Sequence, residues 1–472
     1  MGPFRIRRAV AVAALIALAA SPIRAQKVDT AFVGRILGRL TGRADSMLHY
    51  AAYIPRSYRA GHPAALLLVL DPHGNALGAM APLTATAERL GWLVLSSYDM
   101  HGDGPSQPNV IAANGMLADA FGTFSIDTSR IYLAGFSGTA RDAWVFGYGM
   151  SGHVAGILSA GAGEPADPVW RRAHAGPPPF DVAMTTGTDD VNYDDILMTA
   201  DSMHAHSAAV RVDVFPGGPE WPPANIEAQA LGWLAARSMA RHLAPMDSAF
   251  VDSVFAVDSA YAVGLEAAHR PTDAADQWRN IAVAWAGLHD GTFAATRQRE
   301  LDARPDVQRL RAERDSTDRG TRDAQHAIIE PLSELRRRPG VPDLRRLTEE
   351  LHIGEYQRWA ADASDSVRAV WAARRLADIY AQVSFYEPEA YIQANDPARA
   401  LAMLDIATEI HPDTPVVCLE RARVYAARRD IELTVAGLKC ALAGHAITMA
   451  DIRADLRYQF VLLSDEFQTL IH

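Results

Sequence analysis

Ser137 lies in the run Arg130-Ile-Tyr-Leu-Ala-Gly-Phe-Ser-Gly-Thr-Ala-Arg141. A β-rich segment, Ile131 to Ala134, ends at Gly135. Ser137 follows between small residues, and a helix-compatible stretch starts at Thr139. This is the layout of a sharp strand-to-helix turn that lifts a serine hydroxyl to the top of a sheet. The chemistry such a turn serves is acyl transfer. A serine hydroxyl is a poor nucleophile at neutral pH, so it needs a base to take its proton and backbone donors to hold the oxyanion. Gly135 and Gly138 suit a strained turn that a side chain would crowd. Thr139 stands where the usual pattern has a second glycine.

A second segment supports the first. Leu67-Leu-Val-Leu-Asp-Pro-His-Gly-Asn75 is a strand ending in His-Gly about sixty residues before Ser137. That is where the second oxyanion donor of such a turn is supplied. The donor expected here is a backbone N–H near Gly74 and Asn75, joined by that of Gly138. His73 is read as bracing this loop rather than moving protons.

The elements that position these groups alternate from about residue 46 to 243. Strands are expected at Leu48–Ile54, Ala65–Leu70, Trp92–Ser97, Arg130–Ala134, Val154–Ala160, Phe180–Thr186 and Val210–Phe215. Several are continuous apolar runs, as parallel strands covered on both faces should be. Helical patterns fall between them at Ala76–Leu90, Val110–Phe124, Thr139–Met150, Asp194–His206 and Ala224–His242. The alternation predicts a doubly wound, mostly parallel α/β sheet, with ligands outside the carboxyl ends of the strands. After residue 244 the strand signal stops. Residues 244–345 are expected to be a helical connector, and 346–472 an all-helical domain. Arg297 to Arg322 is charged and reads as a solvated helix or a flexible connector. Gly340-Val341-Pro342 marks a turn.

Near the end Leu404 and Leu438 are 34 residues apart, as are Ala407 and Ala441. Small and apolar positions at that period resemble tetratricopeptide repeats, which stack helix hairpins. The match extends over about one and a half repeats, with Thr434 where an alanine is expected; an ordinary helical hairpin is the alternative. The turn between the two helices centres near Arg429, and Cys418 and Cys440 each lie eleven residues from it. An antiparallel pair therefore brings the two cysteines side by side, to form a disulfide in an oxidising compartment or remain as buried thiols.

The N-terminus carries Arg5, Arg7 and Arg8, an apolar run from Ala9 to Ala20, and Ser21-Pro-Ile-Arg-Ala25. This is the pattern of a secretory signal peptide over residues 1–25, followed by an N-terminal segment, 26–45. The expected location is periplasmic or secreted, and no later stretch is read as a membrane span. The chain has a formal charge of −11, and removing the four arginines of the acid-free leader leaves −15. That disfavours nucleic acid as a partner. Two cysteines exclude a disulfide-scaffold class. No metal-ligand spacing and no glycine-rich phosphate loop is present, so neither metal nor cofactor is expected.

Gly135-Phe-Ser137-Gly-Thr-Ala-Arg141 resembles the Gly-Phe-Ser-Gly-Gly-Ala-Arg elbow of exported bacterial esterase-like proteins. These are relatives of polyhydroxybutyrate depolymerases and dienelactone hydrolases in the α/β-hydrolase superfamily. The resemblance covers about residues 46–243 and implies an α/β hydrolase followed by the tetratricopeptide-like helical domain. It implies the order serine, acid, histidine. Asp190, in Gly187-Thr-Asp-Asp-Val-Asn-Tyr193, stands at the acid position, with Asp189 second; capping the next helix is their alternative role. The relatives place the histidine in Gly-Gly-His-x-Trp-Pro, where this chain has Gly217-Gly-Pro-Glu-Trp-Pro222. Pro219 therefore replaces the base. His204 and His206 precede the last strand, at the wrong end of the sheet. His101 and His174 lie in loops that open toward Ser137, and His101 is taken as the substitute base; Glu220 would need a raised pKa.

Two functions follow as expectations. One is a serine esterase with Ser137 as nucleophile and Asp190 as orienting acid, acting on a small-molecule ester or a polymer. The other is an impaired pseudo-hydrolase whose helical tail binds a ligand or protein partner, since stacked hairpins present concave surfaces.

Overall fold

The computed structural model describes residues 32–471 apart from 44, 103–105, 166, 189, 207, 313–327, 329, 333, 338–339, 363, 365, 413, 445 and 448. The expected leader lies outside the described residues, as does Asp189. The chain divides into two compact units, one running to Arg309 and one from Leu310 onward.

The first unit is built on an eight-stranded sheet. In chain order its strands are β1 (Arg35–Thr41), β2 (His49–Ile54), β3 (Ala64–Leu70), β4 (Leu93–Ser97), β5 (Ile126–Phe136), β6 (Val154–Ala160), β7 (Asp181–Gly187) and β8 (Val210–Phe215). Their spatial order is β1-β2-β4-β3-β5-β6-β7-β8. β1 pairs antiparallel with β2 and β2 with β4, and every other pairing is parallel. This mostly parallel α/β architecture is the one the sequence implies. β1 is an addition to the expected set and falls in the segment read as an N-terminal extension. It is an edge strand without a buried residue and with a register shift between Leu37 and Leu40, so no apolar run announces it.

Helices cover both faces. On one side lie α3 (Ser106–Thr123), α4 (Gly138–Gly149) and α6 (Tyr193–Ala205); α5 (Pro168–Ala173) is a short helix after β6. Val110, Trp144 and Ile196 pack there against Leu66, Leu133 and Val182. On the other side lie α1 (Ala76–Met80), α2 (Thr84–Leu90) and α7 (Ala224–Ala240), with Met80, Ala87 and Leu231 against Leu67, Val94 and Ala134. The helix expected over Ala76–Leu90 is broken by a 3-10 turn, Ala81–Leu83, whose Pro82 cannot donate to the preceding turn.

The segment expected as a helical connector is helical where it is described in its first half. Its first half forms α8 (Ser248–Ala267), α9 (Pro271–Ala284) and α10 (Thr292–Asp302), which pack into the first unit. The reason is the open edge at β8. The side-chain amide of Asn280 on α9 donates to the Val212 carbonyl (2.8 Å) and accepts from the Val212 N–H (3.0 Å), closing the edge. Arg211 on β8 is 1% exposed and pairs with Asp213 and with Asp258 on α8. The Trp233 indole on α7 donates to the Ala284 carbonyl at 3.0 Å. α8 also corrects the expectation that no later stretch is apolar enough to cross a membrane. It is long and apolar enough to do so by length and composition alone, although Val251, Asp258, Ala262 and Leu265 are buried in the first unit.

Among the described residues of the second unit the regular elements are all helices. It contains α11 (Leu344–Glu350), α12 (Ile353–Ala360), α13 (Ser366–Ala381), α14 (Glu387–Gln393), α15 (Pro397–Ile410), α16 (Pro415–Ala427), α17 (Ile431–Ala443), α18 (Met449–Ala454) and α19 (Asp465–Ile471). Leu404, Ala407, Leu438 and Ala441 are all fully buried. α16 and α17 form a hairpin whose turn is Arg429, in the left-handed region at φ 58°. Cys418 and Cys440 face each other across it and are bonded, with Cα atoms 5.8 Å apart.

Candidate active site

The buried run Ile131–Phe136 of β5 delivers the chain to Ser137 at the carboxyl edge of the sheet, and α4 begins at the next residue. Ser137 has φ 52° and ψ −122°, a conformation that costs a non-glycine residue about 1–3 kcal/mol. The neighbours enforce it. A methyl group at Gly135 would stand 2.4 Å from the Thr139 carbonyl oxygen and 2.7 Å from the Ala140 nitrogen, so only glycine fits. The Ser137 N–H donates to the Ala160 carbonyl of β6 at 2.8 Å. Thr139 is fully buried; its hydroxyl donates to the Leu70 carbonyl and accepts the Phe136 N–H at 3.3 Å. It thereby ties the turn to the end of β3. Gly138 opens α4, so its N–H has no partner within the helix and can serve as an oxyanion donor.

The expected second donor is engaged elsewhere. Asp71, directly after β3, is 4% exposed. Its Oδ1 accepts the N–H groups of His73 (2.9 Å) and Asn75 (3.0 Å), and its Oδ2 accepts the Trp221 indole N–H (2.9 Å). The Asn75 side chain instead caps α1, accepting from Gly78 N–H at 3.1 Å. Gly74 has φ 68°, and a methyl group there would lie 2.4 Å from the Tyr98 carbonyl oxygen. The His73 side chain is 78% exposed and stands 3.9 Å from the Asp71 carboxylate.

His101 lies close by. The next residue, Gly102, donates to the Pro72 carbonyl at 2.8 Å, and a methyl group on it would stand 3.7 Å from Gly138 Cα. The loop thus touches both the Asp71–Asn75 segment and the Ser137 turn. Asn109 clamps it, accepting from His101 N–H at 2.9 Å and donating to the His101 carbonyl at 2.6 Å. The His101 residue is exposed.

Asp190 follows β7 and is 1% exposed. Its Oδ1 accepts the Asn192 N–H at 2.8 Å, whereas Oδ2 is buried with no hydrogen-bond partner. A methyl group at Gly161, just past β6, would stand 3.2 Å from that Oδ2. Asn192 steadies this corner, donating to the Gly161 carbonyl (2.8 Å) and accepting from Arg141 (3.1 Å). Burial pushes the Asp190 carboxyl up to about 6, against the opposing pull of the Asn192 N–H and Arg141.

Pro219 and Glu220 are both exposed. The loop that carries them is fixed at each end. At its start, a methyl group at Gly187 would meet the Gly217 and Gly218 carbonyl oxygens at 2.3 and 2.4 Å. At its end, the Trp221 ring lies 5.8 Å from that of Phe136, besides its bond to Asp71. The His174 ring lies tilted against that of Trp170, centroids 3.8 Å apart, and its Nδ1 meets the Trp170 carbonyl at 2.9 Å, so it braces an aromatic cluster. His204 lies in the last turn of α6 and His206 follows the helix, before β8 begins, at the edge of the sheet opposite Ser137. Among the described residues no group of three His, Cys, Asp or Glu side chains could hold a metal ion.

Sequence reasoning did not reach Asp71, Asn109, Asn192 or the indole of Trp221. Asp71 gave one signal, an aspartate immediately after a buried strand.

No protein-family model matches the chain, and no curated protein matches it. Solved structures are similar to part of it. A ferulic acid esterase overlaps 44% of this chain and 99% of its own at 15% identity, with a TM-score of 0.36. FphF, a fluorophosphonate-binding serine hydrolase of Staphylococcus aureus, overlaps 43% and 97% at 12% identity, TM-score 0.35. An S-formylglutathione hydrolase from Agrobacterium tumefaciens overlaps 40% and 90% at 14% identity, TM-score 0.34.

Proposed function

We propose that the protein is an exported serine hydrolase acting on esters, with Ser137 as nucleophile. The observation that carries this reading is the strained backbone of Ser137 at the strand-to-helix turn, held there by Gly135 and Thr139. Strain of that kind persists only where the surroundings impose it, and it clusters at reactive positions. In the reaction the Ser137 Oγ attacks the ester carbonyl as its proton passes to a base. The Gly138 N–H holds the oxyanion, and the alcohol leaves with a proton. Water then releases the acid from the acyl-serine by the same steps. His101, in the loop beside Gly138, is the base that takes the Ser137 proton, and Asp190, whose Oδ2 has no partner, stands at the orienting-acid position without contacting it. The substrate is a small-molecule ester or a polymer. The test is turnover of a short-chain aryl ester by the wild type beside Ser137→Ala and His101→Ala; equal turnover by wild type and Ser137→Ala refutes the reading.

A second reading has its own observations: Pro219 at the base position, the orphan Oδ2 of Asp190, and the Asn75 N–H committed to Asp71. In it the first unit turns over little, and the tetratricopeptide-like helices bind a ligand or protein outside the cytoplasm. Residual catalysis without a triad member is roughly 10³–10⁴ over water, so turnover at that level together with binding by the helical unit would favour it.

A further inference from the structure

We propose that the second unit carries a binding site for a small organic anion, a carboxylate or phosphate monoester with an apolar or aryl body. The site is a cavity of about 400 Å³ between α14, α16 and the turn around Arg457. Arg423, Arg429 and Arg457 line it, with Phe460, Gln459 and Glu389.

Three guanidinium groups share one cavity, and carboxylates already neutralise two of them, so the charge open to an anion is chiefly that of the third. Two already have partners that leave donors over. Arg457 Nε and Nη2 bind Asp455 at 2.9 and 2.7 Å, and Arg423 Nη1 binds the buried Glu420. Each guanidinium has five N–H donors in a planar fork. Fixing one side by a carboxylate orients the rest, so less freedom is lost when an oxyanion arrives. Arg423 also has its Nε buried with no hydrogen-bond partner. Arg429 differs: its guanidinium lies 5.5 Å above the Phe460 ring, and among the described residues it makes no ion pair. It is the cation available for a headgroup, and Phe460 and Ile392 supply apolar wall.

The volume selects the ligand. Small-molecule sites run from about 300 to 1,000 Å³, and this one is near the lower bound, suited to a compact anion rather than a polymer. The one acid in the wall, Glu389, is held by Gln393 at 3.1 Å and repels an anion at its own end, which places the headgroup toward Arg429. The disulfide between Cys418 and Cys440 ties α16, the helix of Arg423, to α17. None of these features depends on turnover at Ser137.

The experiment is calorimetric titration of the full chain with phenyl phosphate, benzoate, inorganic phosphate and benzyl alcohol. One phenyl phosphate should bind per chain, more tightly than inorganic phosphate, and benzyl alcohol should not bind. Arg429→Gln should weaken binding about tenfold or more, as loss of a charge-assisted contact does. Phe460→Leu should weaken it less, and Ser137→Ala should leave it unchanged, which separates this site from the first unit. Thermal melts of Arg429→Gln and of a second variant, Arg457→Gln, control for folding. No saturable binding of phenyl phosphate up to about 10 mM, a Kd equivalent to only about 3 kcal/mol, would overturn the proposal. So would equal affinity in wild type and Arg429→Gln, loss of binding in Ser137→Ala, or binding of inorganic phosphate as tight as that of phenyl phosphate.

Discussion

Asp190→Asn should stabilise the protein at alkaline pH and have no effect at acid pH. The carboxyl moves from 3.8 in the unfolded chain to about 6 in the folded one, chiefly because burial disfavours its charge. Each unit is worth about 1.36 kcal/mol, so roughly 3 kcal/mol of stability is lost when it ionises. The group is 1% exposed, so solvent screening does not reduce this. The sign follows from linkage. The folded state binds the proton more tightly than the unfolded state, so the loss begins as pH rises through about 4 and is complete above about 6. Asparagine is isosteric with the protonated acid, keeps an oxygen for the Asn192 N–H, and cannot ionise. Urea unfolding at about pH 8 should therefore show Asp190→Asn more stable by about 3 kcal/mol, and at about pH 4 no different. In a Pro219→His background the imidazole supplies the donor that Oδ2 lacks. The stabilisation should then shrink, and ester turnover should rise only while Asp190 is an aspartate. Equal stabilisation at both pH values, or none at either, would refute the account of Asp190 as an orienting acid without its partner.

Other outcomes follow from the same structure. Ser137→Gly should raise stability by about 1 kcal/mol in urea melts, because glycine adopts the Ser137 conformation without strain. Trp221→Phe keeps an aromatic ring beside Phe136 but leaves Asp71 Oδ2 buried and unpaired; it should cost about 1.5–3 kcal/mol and lower ester turnover. Reducing the bond between Cys418 and Cys440, 22 residues apart in sequence, should cost the second unit about 3 kcal/mol, read as a lower denaturation midpoint. Glu227 on α7 is 1% exposed, has no partner at either oxygen, and is pushed up by burial to about 8. Its folded value is the higher, so stability should fall as pH rises from about 4.5 to about 8, and Glu227→Gln should flatten that fall.

How much was legible depended on whether a feature was local. β3, β6 and the second half of β5 are apolar on both faces and therefore stand out as runs, whereas β1 is an exposed edge. The break between α1 and α2 is marked only by Pro82, inside a helical pattern that continues on either side of it. Ser137, Gly135 and Gly138 were readable because the turn is built within five residues. The Cys418–Cys440 pairing was readable because both count back to one turn at Arg429. The couplings that complete the site were not. Asp71 meets Trp221 across 150 residues, and Asn192 meets Arg141 across 51. The placement of α8 to α10 depends on Arg211 with Asp258 and on Asn280 with Val212, polar pairs that carry no periodicity.

The central claim is that the turn at Ser137 presents a reactive hydroxyl. Its most direct test is to treat the purified full chain with a fluorophosphonate probe and locate the label by mass spectrometry. The account predicts modification at Ser137, absent in Ser137→Ala and faster in Pro219→His. A probe that leaves Ser137 unmodified in the wild type and in a folded Pro219→His variant would contradict it.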